Sequence, residues 1–156
     1  MATARIEVIG PGEYGLVCDL YNRIFVPHVN QAFLERRLHG RHNVLVLVAE
    51  LDGKPAGFSC GYELRPSTYY SWLYGVVPDA RRLGVASQLM GAEHAWARDK
   101  GYEMARFECY NQQRPMLILA IRMGYDIIGI RYDSRTGGNL VVFEKLLQDG
   151  LSDQPL

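Results

Sequence analysis

Apolar residues in the first forty positions recur at the spacing of helices, after a short apolar strand at Arg5–Ile9. The pattern predicts two helices. The second begins after a plausible N-cap at Asn30 and ends at Gly40. The first carries its apolar stripe on Tyr14, Val17, Leu20, Tyr21 and Ile24. The N-terminal part of the chain is therefore a strand followed by two amphipathic helices.

From Asn43 onward the apolar runs shorten to the length of strands, and Asp52-Gly53 is a strong hairpin signal. Helical spacing returns twice, at Gly84–Lys100 and at Pro115–Met123. The predicted strands of this part are Asn43–Glu50, Pro55–Leu64, Tyr70–Val77, Met104–Tyr110, Tyr125–Asp133 and Asn139–Glu144. The order predicts a mixed α/β fold with antiparallel hairpins before the central helix.

The chain has 156 residues, a common size for one domain. Neither a linker nor a repeat interrupts it, so we expect a single domain over residues 1–150. Residues 151–156 are expected to form a frayed C-terminal tail.

The composition argues against a nucleic-acid-binding protein and against a membrane protein. Apolar residues make up 48% and charged residues 22%, and the formal net charge is zero. A neutral chain has no overall basic field to attract nucleic acid or an anionic membrane, so we expect neither partner. No apolar run reaches the ~20 residues of a membrane helix.

The cysteine content favours a reducing compartment. Cys18, Cys60 and Cys109 are an odd number without the spacing of a disulfide framework. No CxxC pair or Cys/His cluster suggests a metal site, so none is expected. We therefore expect a cytoplasmic protein without a metal.

One segment, Val76–Ala86, combines a strand end, a short loop and a helix start. The first N–H groups of a helix have no internal partners, and the helix dipole favours an anion beside them. Gly84 lets the backbone approach a phosphate, and Arg81 and Arg82 supply positive charge. The alternative is an ordinary turn with two solvated arginines.

This segment resembles the acyl-CoA signature of the GNAT superfamily of N-acetyltransferases. The match consists of Arg81, Gly84 and Ala86, preceded by Val76 and Pro78. A second matching segment has a strand ending at Asn111, a helix through Pro115-Met116-Leu117 and Leu119, and then Gly124-Tyr125. The order of elements agrees with the family along nearly the whole chain.

The resemblance implies a central, mixed and mostly antiparallel sheet with a splay between its fourth and fifth strands, flanked by helices. It also implies acetyl-CoA as cosubstrate, with pantetheine in the splay and the pyrophosphate on the helix amides. The residues that would bind the cofactor are Tyr74, Gly75, Val76, Arg81, Arg82, Leu83, Gly84, Val85, Ala86, Ser87 and Asn111.

Proton transfer needs residues other than the family's usual ones. The family's acid tyrosine would fall at Ala120, and the base glutamate of histone-type members at about Tyr70. Strand alternation places Arg106, Glu108 and Tyr110 on one face. We take Tyr110 as the candidate acid. Glu108 is either the candidate base or the structural partner of Arg106.

The resemblance implies transfer of an acetyl group to an amine of a small molecule or a protein. A non-catalytic acyl-CoA sensor on the same fold remains an alternative, as do a thiol or hydroxyl acceptor and a longer acyl chain. A homodimer is a further open alternative, because dimers are common in that family. His94 lies opposite the apolar stripe of its helix, so we expect it to be solvated.

Overall fold

The structure is a computed structural model that describes residues 2–148. These residues form two compact units, the first from 2–63 and 72–93, the second from 64–71 and 94–148. The elements, in chain order, are β1 Arg5–Val8, α1 Tyr14–Ile24, α2 Gln31–Leu38, β2 Leu45–Leu51, β3 Lys54–Arg65, β4 Thr68–Val76, α3 Val85–Asp99, β5 Met104–Tyr110, α4 Arg114–Arg122, β6 Asp126–Asp133 and β7 Gly138–Leu146.

In the first unit, local sequence signals account for the ends of the elements. The Asn30 side chain caps α2 by accepting a hydrogen bond from the Phe33 N–H at 3.1 Å. The hairpin between β2 and β3 turns at Asp52 and Gly53, whose φ angles of 51° and 77° are both left-handed. Strand β2 is buried from Leu45 to Ala49, as its continuous apolar run predicts.

In the second unit, an aromatic core covers one face of the strands. Tyr69 on β4 contacts Trp96 on α3, with ring centroids 5.5 Å apart. Phe107 on β5 lies 5.8 Å from Phe143 on β7. On β5 the buried residues Ala105, Phe107 and Cys109 alternate with less buried ones, so the opposite face carries the polar residues of the strand.

The prediction for His94 is wrong. Its side chain is only 4% exposed, and its Nε2 lies 2.8 Å from the hydroxyl of Tyr125. Helix α3 also buries Met90 and Ala97, so its buried surface is wider than the predicted stripe. A polar side chain on such a surface is tolerated because it has a hydrogen-bonding partner.

The strands form a seven-stranded sheet in the order β1-β2-β3-β4-β5-β7-β6. The pair β4/β5 is parallel, whereas β1/β2, β2/β3, β5/β7 and β6/β7 are antiparallel. The parallel ladder joins Thr68–Ser71 to Met104–Phe107, and β4 continues beyond it to Val76. The predicted fold class is confirmed. The single domain over residues 1–150 stays a prediction, and the tail at 151–156 lies outside the described residues.

Candidate active site

The predicted phosphate loop lies in the first unit, between β4 and α3. A short 3₁₀ turn at Pro78–Ala80 follows the strand, and the Arg81 Nε donates a hydrogen bond to the Val76 carbonyl at 3.2 Å. Arg82 and Gly84 both have left-handed backbones, with φ angles of 65° and 82°. Glycine adopts this conformation readily, whereas arginine does so at a cost of about 1–2 kcal/mol. The loop therefore holds backbone strain at Arg82, whose guanidinium has no partner among residues 2–148.

Helix α3 begins at Val85, directly after the loop. The Ser87 hydroxyl donates to the Gly84 carbonyl at 2.9 Å, which fixes the first turn. The first amides of a helix of this length have no intrahelical acceptors and attract an anion. The predicted residues from Arg81 to Ser87 therefore form one cationic loop that ends in a helix N-terminus.

The chain's first described residues bind this loop, which the sequence analysis missed. The Ala2 N–H donates to the Leu83 carbonyl at 3.2 Å, and the Ala4 N–H donates to the Gln88 Oε1 at 2.9 Å. The Gln88 Nε2 donates in turn to the carbonyls of Ala2 at 2.8 Å and Gly84 at 3.0 Å. These hydrogen bonds attach the N-terminal segment to the loop and to the first turn of α3.

Close packing surrounds the strand segment predicted to pair with pantetheine, Tyr74 to Val76. A Cβ on Gly75 would lie 2.7 Å from a ring carbon of Phe58, and a Cβ on Gly57 would lie 2.8 Å from the Gly75 carbonyl oxygen. Such distances exclude a side chain at either glycine. Tyr74 itself is buried. The end of β4 is thus a tightly packed support for the loop that follows it.

A cavity of about 490 Å³ lies in the second unit, on the face of β5 opposite the aromatic core. It is lined by Leu64, Arg65, Tyr70, Arg106 and Glu108. The Tyr70 hydroxyl donates to the Glu108 Oε2 at 3.1 Å, and Arg131 approaches the same oxygen to 3.6 Å. One of the two candidate catalytic residues, Glu108, therefore faces a cavity.

The ion pairs of this cavity differ from the expected ones. Arg106 lies 4.0 Å from Glu144 on β7, and Arg65 lies 3.6 Å from the same carboxylate oxygen. Glu108 pairs with Arg131 instead of Arg106. The reason is the register of the sheet, which places Arg106 directly opposite Glu144. The alternative in which Glu108 is merely the structural partner of Arg106 is wrong.

The other candidate, Tyr110, is held by the hairpin between β6 and β7. Its hydroxyl donates to the Asp133 Oδ2 at 2.7 Å and accepts a hydrogen bond from the Thr136 hydroxyl at 3.3 Å. The hydrogen bond from Tyr110, followed by those from Arg135, holds the pKa of Asp133 below its usual value. The phenol proton of Tyr110 therefore points at a carboxylate within its own unit.

Asn111 follows Tyr110 at the end of β5. Its backbone N–H donates to the Asn139 carbonyl at 2.9 Å, and its side chain is exposed. The predicted contact with the cofactor arm is compatible with that exposure and stays a prediction.

A model of the acetyltransferase (GNAT) family matches residues 15–125. The chain belongs to the GNAT acetyltransferase family. No curated protein sequence matches it. Acetyl-CoA is the cosubstrate that this family uses.

Solved structures agree with this assignment at the level of the fold. The ribosomal-protein-S18-alanine N-acetyltransferase from Escherichia coli matches with a TM-score of 0.81 and 14% identity, over 99% of this chain and 100% of its own. Ard1 from Thermoplasma volcanium matches with a TM-score of 0.77 and 20% identity, over 94% and 99%. The Salmonella typhimurium protein yncA, solved with its cofactor acetyl-CoA, matches with a TM-score of 0.73 and 16% identity, over 95% and 96%.

Ala120, where the resemblance places the acid tyrosine of the family, is fully buried. Among residues 2–148, no helix combines the length and apolar character that a membrane crossing needs. Within the same residues, no cluster of three or more His, Cys, Asp or Glu side chains is arranged to hold a metal ion.

Proposed function

We propose that this GNAT protein transfers the acetyl group of acetyl-CoA to an amine, which attacks the thioester directly while both substrates are bound. The observation that carries the proposal is the loop from Arg81 to Ser87. Its two arginines, its left-handed Gly84 and the N-terminus of α3 match the needs of a pyrophosphate. No residue of the loop is acidic.

Acetyl-CoA binds with its pyrophosphate on the amides from Arg82 to Ser87. The backbone of Tyr74, Gly75 and Val76 pairs with the pantetheine arm, and one of these N–H groups polarises the thioester carbonyl. Asn111 contacts the same arm. Most of the rate enhancement comes from holding amine and thioester in contact.

Glu108 is the base of this mechanism. A primary amine with a pKa near ~10 is protonated at neutral pH, so a group must remove its proton before or during the attack. Glu108 faces the cavity, and Tyr70 and Arg131 orient its carboxylate. Glu108 first takes one proton from the ammonium group and releases it to solvent. The neutral nitrogen then forms a bond to the acetyl carbon, the carbon–sulfur bond breaks, and the second proton of the nitrogen passes to Glu108.

Tyr110 is the acid that protonates the departing CoA thiolate. Its hydroxyl is bonded to Asp133 and must turn toward the sulfur to act. Asp133 is then a positioning residue that holds the phenol until the cofactor is bound. Thr136 supports the same hydroxyl from the other side.

Burial of the cysteines supports direct transfer over a covalent acetyl-cysteine intermediate. Burial raises the pKa of Cys18 and of Cys60, and it raises that of Cys109 to about 11. A thiol of this kind is protonated near neutral pH and is a poor nucleophile.

A second candidate function is a non-catalytic acyl-CoA sensor. Alanine at position 120 and the engagement of the Tyr110 hydroxyl favour it. Incubation with acetyl-CoA and a broad panel of amines, with detection of free CoA thiol, separates the two. Release that depends on the amine supports the enzyme. Tight binding in calorimetry without release supports the sensor, and absence of binding overturns both.

A further inference from the structure

We propose that the cavity of the second unit selects amines that also carry a carboxylate, and that Arg65 and Arg106 bind this carboxylate. The acceptor is then a small free amino acid, with its amine at Glu108. This inference rests on the proposed function, because it names the acceptor of the same reaction.

The first argument is that the two arginines are not saturated. Their shared partner is one oxygen of Glu144, at 3.6 Å from Arg65 and 4.0 Å from Arg106. Both distances exceed hydrogen-bonding range, and this buried oxygen accepts no hydrogen bond within residues 2–148. Each guanidinium has five N–H donors, so both retain donors for a second carboxylate. Glu144 sets their position without using their hydrogen-bonding capacity.

The second argument is the charge of the site. The charged side chains that line the cavity or pair with its lining are Arg65, Arg106, Arg131, Glu108 and Glu144. Three positive and two negative groups leave an excess of one positive charge. A diamine or polyamine would add positive charge to this site, whereas a zwitterionic amino acid adds no net charge and brings a carboxylate that the arginines attract. The site therefore disfavours strongly cationic acceptors.

The third argument is spacing. Arg106 and Glu108 are two residues apart on β5 and both line the cavity. Residues so placed on a strand are separated by about 6.5–7 Å along its axis. An acceptor that spans them has its amine and carboxylate only a few bonds apart. The cavity of about 490 Å³ holds a molecule of that size.

Matched pairs of acceptors test this proposal. Each of the common amino acids is compared with its carboxamide, which keeps the amine and the side chain but removes the negative charge. We expect kcat/KM for the acid to exceed that for the amide by at least about tenfold, as for a charge-assisted hydrogen bond. The variant Arg106→Gln should reduce this ratio toward one, because kcat/KM for the acid falls more than kcat/KM for the amide.

Two controls keep the test interpretable. Arg122→Gln alters an exposed arginine of α4 outside the cavity and should preserve the ratio. Arg65→Gln repeats the test at a side chain that is 52% exposed, so it remains informative if Arg106→Gln fails to fold. Acetyl-CoA affinity, measured by calorimetry, should be equal in all three variants.

Direct binding separates the failure of this inference from the failure of the proposed function. NMR chemical-shift perturbation by amino acids and by their amides, measured without acetyl-CoA, reports binding of the acceptor in the cavity alone. Selective binding of the acids, lost in Arg106→Gln, supports the inference even if no CoA is released. Equal binding and reactivity of acids and amides would overturn it. Faster acetylation of peptides that begin with Glu than of free glutamate would overturn the assignment to free amino acids.

Discussion

The Nε of Arg81 and the carbonyl oxygen of Val76 form a hydrogen bond of 3.2 Å that closes the proposed phosphate loop onto the end of β4. One nitrogen of the Arg81 guanidinium is therefore used within the protein. The neighbouring Arg82 makes no hydrogen bond or ion pair with any residue of the described range 2–148. The two arginines therefore differ: Arg81 is hydrogen-bonded within the loop, and Arg82 has its whole guanidinium available for the anion of the proposed function.

Charge reversal at Arg82 should weaken acetyl-CoA binding strongly. In Arg82→Glu a carboxylate would face the pyrophosphate, and we expect the Kd in calorimetry to rise by at least about tenfold. Arg82→Gln, which removes the charge without reversing it, should produce a smaller rise. The difference between the two should shrink as salt is added. Unchanged affinity in Arg82→Glu would count against the placement of the pyrophosphate.

Removal of the base should affect turnover and leave cofactor binding intact. We expect Glu108→Gln to lower kcat by about 10²–10⁴-fold, because its amide cannot accept the amine's proton. The acetyl-CoA Kd should stay within about twofold. Tyr70→Phe is the matched control, since it removes one hydrogen bond to Glu108 and keeps the carboxylate. A Glu108→Gln enzyme with full kcat would show that another group removes the proton.

The roles of Tyr110 and Asp133 can be separated by turnover and stability. Tyr110→Phe should lower kcat by about tenfold or more, because thiolate departure loses its proton donor. Asp133→Asn keeps the phenol and should lower kcat less than Tyr110→Phe does. If Tyr110→Phe reduces the free energy of unfolding but not kcat, the hydroxyl is a structural link to the hairpin and the acid lies elsewhere.

The buried imidazole of His94 predicts a loss of stability in mild acid. Burial, with the positive charges of Lys145 and Arg98, lowers its pKa to about 3. In the unfolded chain the pKa is about 6.5, so between these values the unfolded state binds the proton and the folded state does not. The free energy of unfolding should therefore fall as the pH falls below ~6.5, by about 2 kcal/mol from this group at pH 5 relative to pH 7.5.

Urea unfolding at these two pH values measures this effect. His94→Gln can still hydrogen-bond to Tyr125 but does not titrate, so its stability should be lower at pH 7.5 and should decline less toward pH 5. An unchanged pH slope in the variant would assign the acid sensitivity to other groups.

The sequence predicts those parts of this fold and site that depend on neighbours along the chain. Strand β5 lies where its alternation indicates, and the phosphate loop is contiguous, so its glycine and arginines are visible together. The hydrogen bond from the Ala4 N–H to the Gln88 Oε1 joins residues 84 positions apart, so no local sequence pattern predicts it. The pairing of Arg106 with Glu144 likewise depends on the register of β5 and β7. His94 was misplaced because a helical wheel treats a polar residue as solvated until its partner is known.

The left-handed backbone of Arg82 has a consequence for engineering this protein. A stabilisation campaign that looks for unfavourable backbone conformations would choose this residue first and replace it with glycine. The resulting gain in melting temperature would be accompanied by the loss of a guanidinium that has no partner among residues 2–148. With the pyrophosphate placed as proposed, stability and cofactor affinity oppose each other at this position, so a library selected for heat resistance alone would lose affinity for acetyl-CoA.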